Sequence, residues 1–142
     1  MKVKKLVLTC LLAGMSVAVQ VQAQNKLPQG KWEVKQVRVE KNTDGKIDTA
    51  VYNAANEVKS FVICPKEWTI TEQSIIWRYS NDIEITVEYA LDGDRFTIVD
   101  VSPMQLYHYS VEDDVLVLTI AYNVNNPPMH MNEKWTIILK QK

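Results

Sequence analysis

Aromatic side chains give this sequence its clearest candidate chemistry, because many of them fall on segments with the alternating pattern of strands. A tyrosine offers its ring to an apolar molecule and its hydroxyl to a polar group, so a set of them can line a pocket. Tyr107 and Tyr109 share one strand face, with His108 on the other, and are the strongest candidates. Tyrosines that only fill an ordinary sheet give the same pattern. The predicted ligand-binding set is Trp77, Tyr79, Val87, Tyr89, Tyr107, Tyr109 and Tyr122.

Catalytic motifs are missing from the chain. It contains no Gly-x-Ser-x-Gly elbow, no Walker loop and no paired His-Glu helix motif. His108 and His130 are the only histidines, and nothing in their spacing selects a carboxylate partner for acid–base work. We therefore predict no catalytic residue, no cofactor and no enzymatic activity.

A second candidate chemistry lies in the segment PPMHMNEKW, residues 127–135. Thioether and imidazole ligands suit Cu(I) or Ag(I), which makes Met129, His130 and Met131 a conceivable soft-metal site. Adjacent side chains of an extended segment point in opposite directions, so the three converge only at a turn. Methionines packing over a barrel rim explain the segment equally well, and soft-metal binding is kept only as an alternative.

Alternation of apolar and polar residues predicts the elements that carry these side chains. In DIEITVEYAL, the five residues from Ile83 to Leu91 at every second position form one apolar face. Gly93 then predicts a tight hairpin into RFTIVDV. SFVIC, EWTIT and SIIWRYS are also predicted as short strands, whereas the asparagines and prolines of residues 123–128 predict a loop.

The whole pattern gives nine or ten short strands with brief connections and no convincing long helix. It predicts an all-β fold, an antiparallel up-and-down barrel of about eight to ten strands. The first strand begins at Gly30-x-Trp32, and its apolar set changes face between Val34 and Val37, which predicts a β-bulge.

The first 23 residues have the layout of a cleavable secretory signal: three lysines, an apolar run, and Val21-Gln22-Ala23 before the cleavage point. Cleavage near Ala23 leaves one domain, residues 24–142, in the periplasm or secreted.

Without the leader's three lysines, sixteen basic residues become thirteen against seventeen acidic ones, a balance of −4 that argues against nucleic acid as a partner. No run is long enough to predict a membrane span. After cleavage removes Cys10, Cys64 is the one cysteine left, so the domain cannot close an internal disulfide. A domain stabilised without disulfides is typical of a Gram-negative periplasm.

Four segments carry a resemblance to a known family. LPQGKWEVKQVRVEKNTDG, YALDGDRFTIVD, YSVEDDVLVLTI and EKWTIILKQK are similar to the small lipocalin-like proteins exported by Gram-negative gut bacteria of the Bacteroides type. The resemblance covers residues 27–142. It implies that Trp32 closes one end of a barrel, where Gly30 lets the backbone bend. The chain lacks the arginine that larger lipocalins place near the end of the last strand.

This resemblance implies non-catalytic binding of a small, partly apolar molecule inside the barrel. An eight-stranded barrel is just wide enough to hold one small ligand or to be filled by its own side chains. A barrel that binds or inhibits another protein, without a small ligand, remains the alternative.

Overall fold

The computed structural model describes residues 26–99, 101, 105–126 and 129–142, without the side chains of residues 126, 129 and 130. The predicted leader, residues 1–23, lies outside these ranges. Nine strands and a single 3₁₀ turn follow in chain order: β1 Gly30–Thr43, β2 Lys46–Tyr52, a 3₁₀ turn Ala55–Glu57, β3 Glu67–Ile70, β4 Ser74–Arg78, β5 Glu84–Asp92, β6 Arg95–Ile98, β7 Gln105–Glu112, β8 Val115–Asn126 and β9 Met129–Gln141.

Eight of the nine strands close into an antiparallel barrel with up-and-down connectivity, as the sequence predicts. The order is β1-β3-β4-β5-β6-β7-β8-β9, and β9 pairs back onto β1. This closure pairs both edges of the eight-stranded barrel, and among the described strands an unpaired edge remains on β2. The remaining strand, β2, pairs with the second half of β1 beside the barrel.

Strand β1 holds the closure together because it pairs with three strands. Its first four residues pair with β3, its second half pairs with β2, and almost its whole length pairs with β9. The β1–β9 register shifts between Val34 and Gln36, which confirms the predicted bulge. Val34 and Val37 are both buried, so the bulge keeps the apolar residues inside across the change of face.

The two ends of the barrel are built differently. At the end where β1 begins, residues 71–73, 93–94 and 113–114 connect neighbouring strands, and we call this the tight-turn end. Gly93 has φ +64° there, the conformation that a tight hairpin asks of glycine. The opposite end carries residues 53–66, between β2 and β3, and residues 79–83, between β4 and β5. We call it the long-connection end.

Two sequence predictions of local structure are wrong. SFVIC, residues 60–64, is not a strand but part of the connection 53–66, with Phe61 and Ile63 exposed. The predicted loop 123–128 is largely strand, because β8 runs to Asn126 and pairs with β9 as far as Met129. Asparagine has a low propensity for strands, but antiparallel pairing with the long strand β9 outweighs that propensity.

The core fills the barrel interior from the tight-turn end upward. Its buried side chains come from all eight barrel strands, and the largest are Trp32, Trp68, Trp135 and Phe96. No helix in the described residues is long and apolar enough to span a membrane.

Candidate functional site

A pocket of about 700 Å³ opens inside the barrel at the long-connection end. Connection 53–66 and residues 79–85 form its mouth, and inward side chains of β3, β4, β7, β8 and β9 form its walls. This volume lies within the range of ordinary small-molecule sites. Seven aromatic rings are among its described lining residues: Phe61, Trp68, Trp77, Tyr79, Tyr107, Tyr122 and Trp135.

Strand register brings three of these rings together. Trp68 on β3 pairs with Trp77 on β4, and their ring centroids lie 5.5 Å apart in an edge-to-face arrangement. Trp68 makes a second edge contact with Tyr107, also at 5.5 Å. Tyr107 stacks in turn on Phe96, with centroids 5.0 Å apart and ring planes 10° from parallel. Such contacts fix ring orientation, so this wall is preformed rather than assembled on demand.

Connection 53–66 is tied to the far wall by a buried carboxylate. Glu133 Oε1 accepts hydrogen bonds from Ser60 Oγ and from Trp135 Nε1, both at 2.9 Å. Lys41 Nζ lies 3.9 Å from Glu133 Oε2. One carboxylate therefore holds both a wall ring and the segment that covers the pocket.

The same connection presents two faces. Cys64 is buried and Val62 partly buried on the pocket side, whereas Phe61 and Ile63 are 70% and 74% exposed. Across the mouth, Ile83 and Ile85 are 55% and 45% exposed. All four exposed side chains also border the pocket, which gives the opening an apolar rim.

The ionisable groups of the described wall are tyrosines and a cysteine, which are uncharged at neutral pH, and burial raises their pKa values further. Burial raises the pKa of Tyr122 to about 12 and that of the Cys64 thiol to about 12. Burial also raises the pKa of Tyr107 well above its ordinary value, and that of Tyr79 less far. No Asp, Glu, Lys or Arg lies among the described lining residues. At neutral pH the described wall therefore carries no net charge.

Two hydrogen-bond donors in the wall have no acceptor within the described structure. They are Nε1 of Trp68 and Nε1 of Trp77, both out of reach of water. Trp135, by contrast, gives its Nε1 hydrogen to Glu133. A buried donor without an acceptor costs about 1–3 kcal/mol.

Four of the seven predicted ligand-binding residues lie in this wall: Trp77, Tyr79, Tyr107 and Tyr122. Trp77 is buried on β4, and the Tyr107 hydroxyl donates to Gln105 Oε1 at 2.9 Å. The Tyr122 ring meets Trp135 edge-on, with centroids 5.6 Å apart. The alternating pattern thus located one wall of the pocket.

The other three predicted residues lie elsewhere. Val87 is buried in the core, paired with Ile75. Tyr89 and Tyr109 face the tight-turn end, where the Tyr89 hydroxyl donates to the Thr71 carbonyl at 2.8 Å. The Tyr109 hydroxyl donates to the Gly93 carbonyl at 3.1 Å. A strand crosses the whole barrel, so residues two apart on one face can serve different ends of it.

Gly30 and Trp32 both lie at the tight-turn end. Gly30 has φ +119°, and a Cβ there would lie 3.2 Å from the Gln141 amide nitrogen. Trp32 is 1% exposed, and its Nε1 donates to the Pro28 carbonyl at 3.0 Å. The described lining of the pocket does not include Trp32.

Sequence reasoning missed several wall residues, notably Trp68, Trp135 and the inner face of connection 53–66. Trp68 sits in EWTIT, which was predicted as a strand, and its pairing with Trp77 was the missing information. The connection was misjudged because SFVIC alternates like a strand. Its lack of a partner strand cannot be read from the residues themselves.

Neither soft-metal binding nor acid–base work by His108 is supported by an arrangement of described side chains. Met131 is buried on β9, while the side chains of Met129 and His130 lie outside the described structure. Within the described part of the chain, no group of three or more His, Cys, Asp or Glu side chains is placed to hold a metal ion. His108 is exposed on the outer face of β7.

Comparison with known proteins adds no identification. No protein-family model, no curated protein and no solved structure matches the chain. Arguments about its role therefore rest on the geometry of the pocket.

Proposed function

We propose that this protein is an exported, lipocalin-like barrel that binds a small, partly apolar molecule in the pocket at its long-connection end, without catalysis. The observation that carries the proposal is an open volume of about 700 Å³ inside a barrel whose other half is filled. Burial of apolar ligand surface against seven aromatic rings supplies the affinity. Export rests on the leader-like residues 1–23.

The hydrogen-bonding groups of the wall support specific rather than general binding. Sites for small molecules combine apolar walls with a few placed polar groups that fix orientation. Here Gln105 and the hydroxyls of Tyr79, Tyr107 and Tyr122 are such groups within a mostly apolar wall.

Native mass spectrometry of the protein, purified gently from its own host, tests the proposal. The expected result is a retained organic adduct of defined mass. A bound copper or silver ion would instead favour the soft-metal alternative at Met129, His130 and Met131. A bare chain from the host that also takes up no added apolar probe would contradict the proposal.

A matched pair of variants locates the binding. Tyr107→Leu removes a ring and hydroxyl from the pocket wall, whereas Tyr109→Leu removes the same groups from the tight-turn end of the same strand face. We expect Tyr107→Leu to weaken adduct retention or probe binding at least about tenfold, a change of about 1.4 kcal/mol. Tyr109→Leu should leave binding unchanged. Equal effects of the two substitutions would place the ligand elsewhere.

A further inference from the structure

We infer that the pocket selects an electrically neutral molecule that carries hydrogen-bond acceptors on a flat apolar body, and that it excludes the anionic and cationic counterparts of such a molecule. This inference rests on the proposed function and names the ligand class of the same site. Carbonyl, ester and ether oxygens on a ring system are acceptors of this kind.

Exclusion of charge follows from the wall. An ion that leaves water for an apolar site needs a partner of opposite charge, because its desolvation otherwise costs far more than burial returns. None of the described lining residues carries a charge. The nearby carboxylate of Glu133 is occupied by Ser60, Trp135 and Lys41, and that of Glu67 by Lys142 Nζ at 2.7 Å. The described part of the wall thus offers no fixed charge of either sign to an ionic ligand.

Preference for acceptors follows from the balance of polar groups. Trp68 and Trp77 hold indole donors without acceptors in the described structure, and the neutral phenol of Tyr79 adds a hydroxyl donor to the wall, whereas the Tyr122 hydroxyl is hydrogen-bonded to Tyr107. The amide oxygen of Gln105 is already engaged by Tyr107. A ligand oxygen therefore accepts first from the Tyr79 hydroxyl, and from an indole only if the Trp68 or Trp77 ring turns, since neither indole nitrogen is exposed to water.

The shape of the molecule follows from the orientation of the rings. Trp68 presents edges or faces to Trp77 and Tyr107 at 71° and 87°, so the wall is a corner of crossed flat surfaces. Flat molecules make offset-stacked and edge contacts with such a corner. The exposed rim of Phe61, Ile63, Ile83 and Ile85 extends the same apolar surface to the opening.

Two pairs of fluorescent probes test the inference with the protein as residues 24–142. Phenylnaphthylamine is neutral, and anilinonaphthalene sulfonate adds one negative charge to the same ring system. Diphenylhexatriene is neutral, and its trimethylammonium derivative adds one positive charge. We expect each neutral probe to bind at least about tenfold more tightly than its charged counterpart, a difference of about 1.4 kcal/mol.

A variant that supplies a charge sharpens the test. Gln105→Lys places an ammonium group in the wall, and Leu106→Lys places the same group on the outer face of the next residue of β7. Gln105→Lys should raise the affinity for the sulfonate probe relative to phenylnaphthylamine at least about tenfold. Leu106→Lys should leave that ratio unchanged, and thermal unfolding of both variants confirms that they fold.

Each outcome separates the two proposals. Tighter or equal binding of either charged probe, lost in Tyr107→Leu, overturns the neutral class and leaves ligand binding in place. Failure of every probe to bind in a Tyr107-dependent manner overturns the proposed function itself. Neutral preference together with a Gln105→Lys switch supports both.

Discussion

The two ends of this barrel use the same strands for opposite purposes. At the tight-turn end, short hairpins and the buried Trp32 fill the interior. The hydroxyls of Tyr89 and Tyr109 donate hydrogen bonds to turn carbonyls there. At the long-connection end, residues 53–66 span the opening and leave about 700 Å³ empty behind them. A tyrosine near a tight turn thus serves the fold, whereas one near the long connection is available to a ligand.

This difference confines binding to one half of the core, whereas side chains of both halves contribute to stability. Side chains of the filled half can lower stability without touching the pocket, and the rim residues can be changed with little effect on folding.

Removal of the tryptophan at the tight-turn end should have the largest effect on stability. Trp32→Ala empties a site that is 1% exposed, and such large-to-small changes cost about 3–5 kcal/mol. Urea unfolding, followed by circular dichroism, measures the loss. Binding of phenylnaphthylamine to the folded fraction should be preserved. A loss of stability below about 1 kcal/mol would contradict the assignment of Trp32 to the packed half.

Loss of the carboxylate that ties down the covering connection should have an intermediate effect. Glu133→Ala leaves Trp135 Nε1 and Ser60 Oγ without their acceptor, at a cost of about 1–3 kcal/mol. Glu133→Gln keeps an acceptor oxygen and should lose less. Limited trypsin digestion at Lys59 should accelerate more in Glu133→Ala than in Glu133→Gln. Equal digestion of both variants and wild type would show that the tether does not hold the connection.

Alkaline pH should destabilise the protein through the pocket wall. Burial raises the pKa of Cys64 from 9.0 to about 12 and that of Tyr122 from 10.0 to about 12, so both groups ionise first in the unfolded chain. Their contribution is present below pH 9 and lost as the pH rises toward 12. Each group adds at most about 1.4 kcal/mol of loss per pH unit.

Urea midpoints between pH 8 and pH 12 measure this loss. The double variant Cys64→Ala with Tyr122→Phe should show a shallower decline than wild type, because it lacks both groups. Identical slopes would contradict burial of the two groups in the folded state.

Polar substitution of the rim should have the smallest effect on stability. Phe61→Ser and Ile63→Ser change side chains that are 70% and 74% exposed, and surface changes of this kind stay within about 0.5 kcal/mol. The same substitutions should weaken binding of an apolar probe, because the rim borders the pocket. Loss of stability above about 1 kcal/mol would show that the side chains of Phe61 and Ile63 are part of the packed core.

Local pattern predicted most of the fold. Alternation predicted all nine described strands in outline, Gly93 predicted a hairpin, and the change of face between Val34 and Val37 predicted the bulge. These features depend on residues near one another in the chain. SFVIC failed because a strand also needs a partner, and β8 overran its predicted end because β9 supplied one.

The pocket was only half predictable for a related reason. Alternation tells which residues point inward, and four of seven predicted residues do reach the pocket wall. Alternation does not tell which end of the barrel a residue serves, so Tyr107 and Tyr109 were grouped although they lie toward opposite ends. Which end of the barrel a residue serves depends on how the turns beside its strand close. The residues of connection 53–66 carry no pattern that predicts a cover over a cavity.

Binding at the long-connection end is tested most sharply by titrating the isotopically labelled domain, residues 24–142, with phenylnaphthylamine and mapping the amide chemical-shift changes along the chain. We expect the largest changes at residues 55–65, Tyr79, Tyr107 and Tyr122, with little change at residues 71–73, 93–94 and 113–114. Saturable changes centred on the tight-turn end, or no saturable change at all, would contradict binding at the long-connection end.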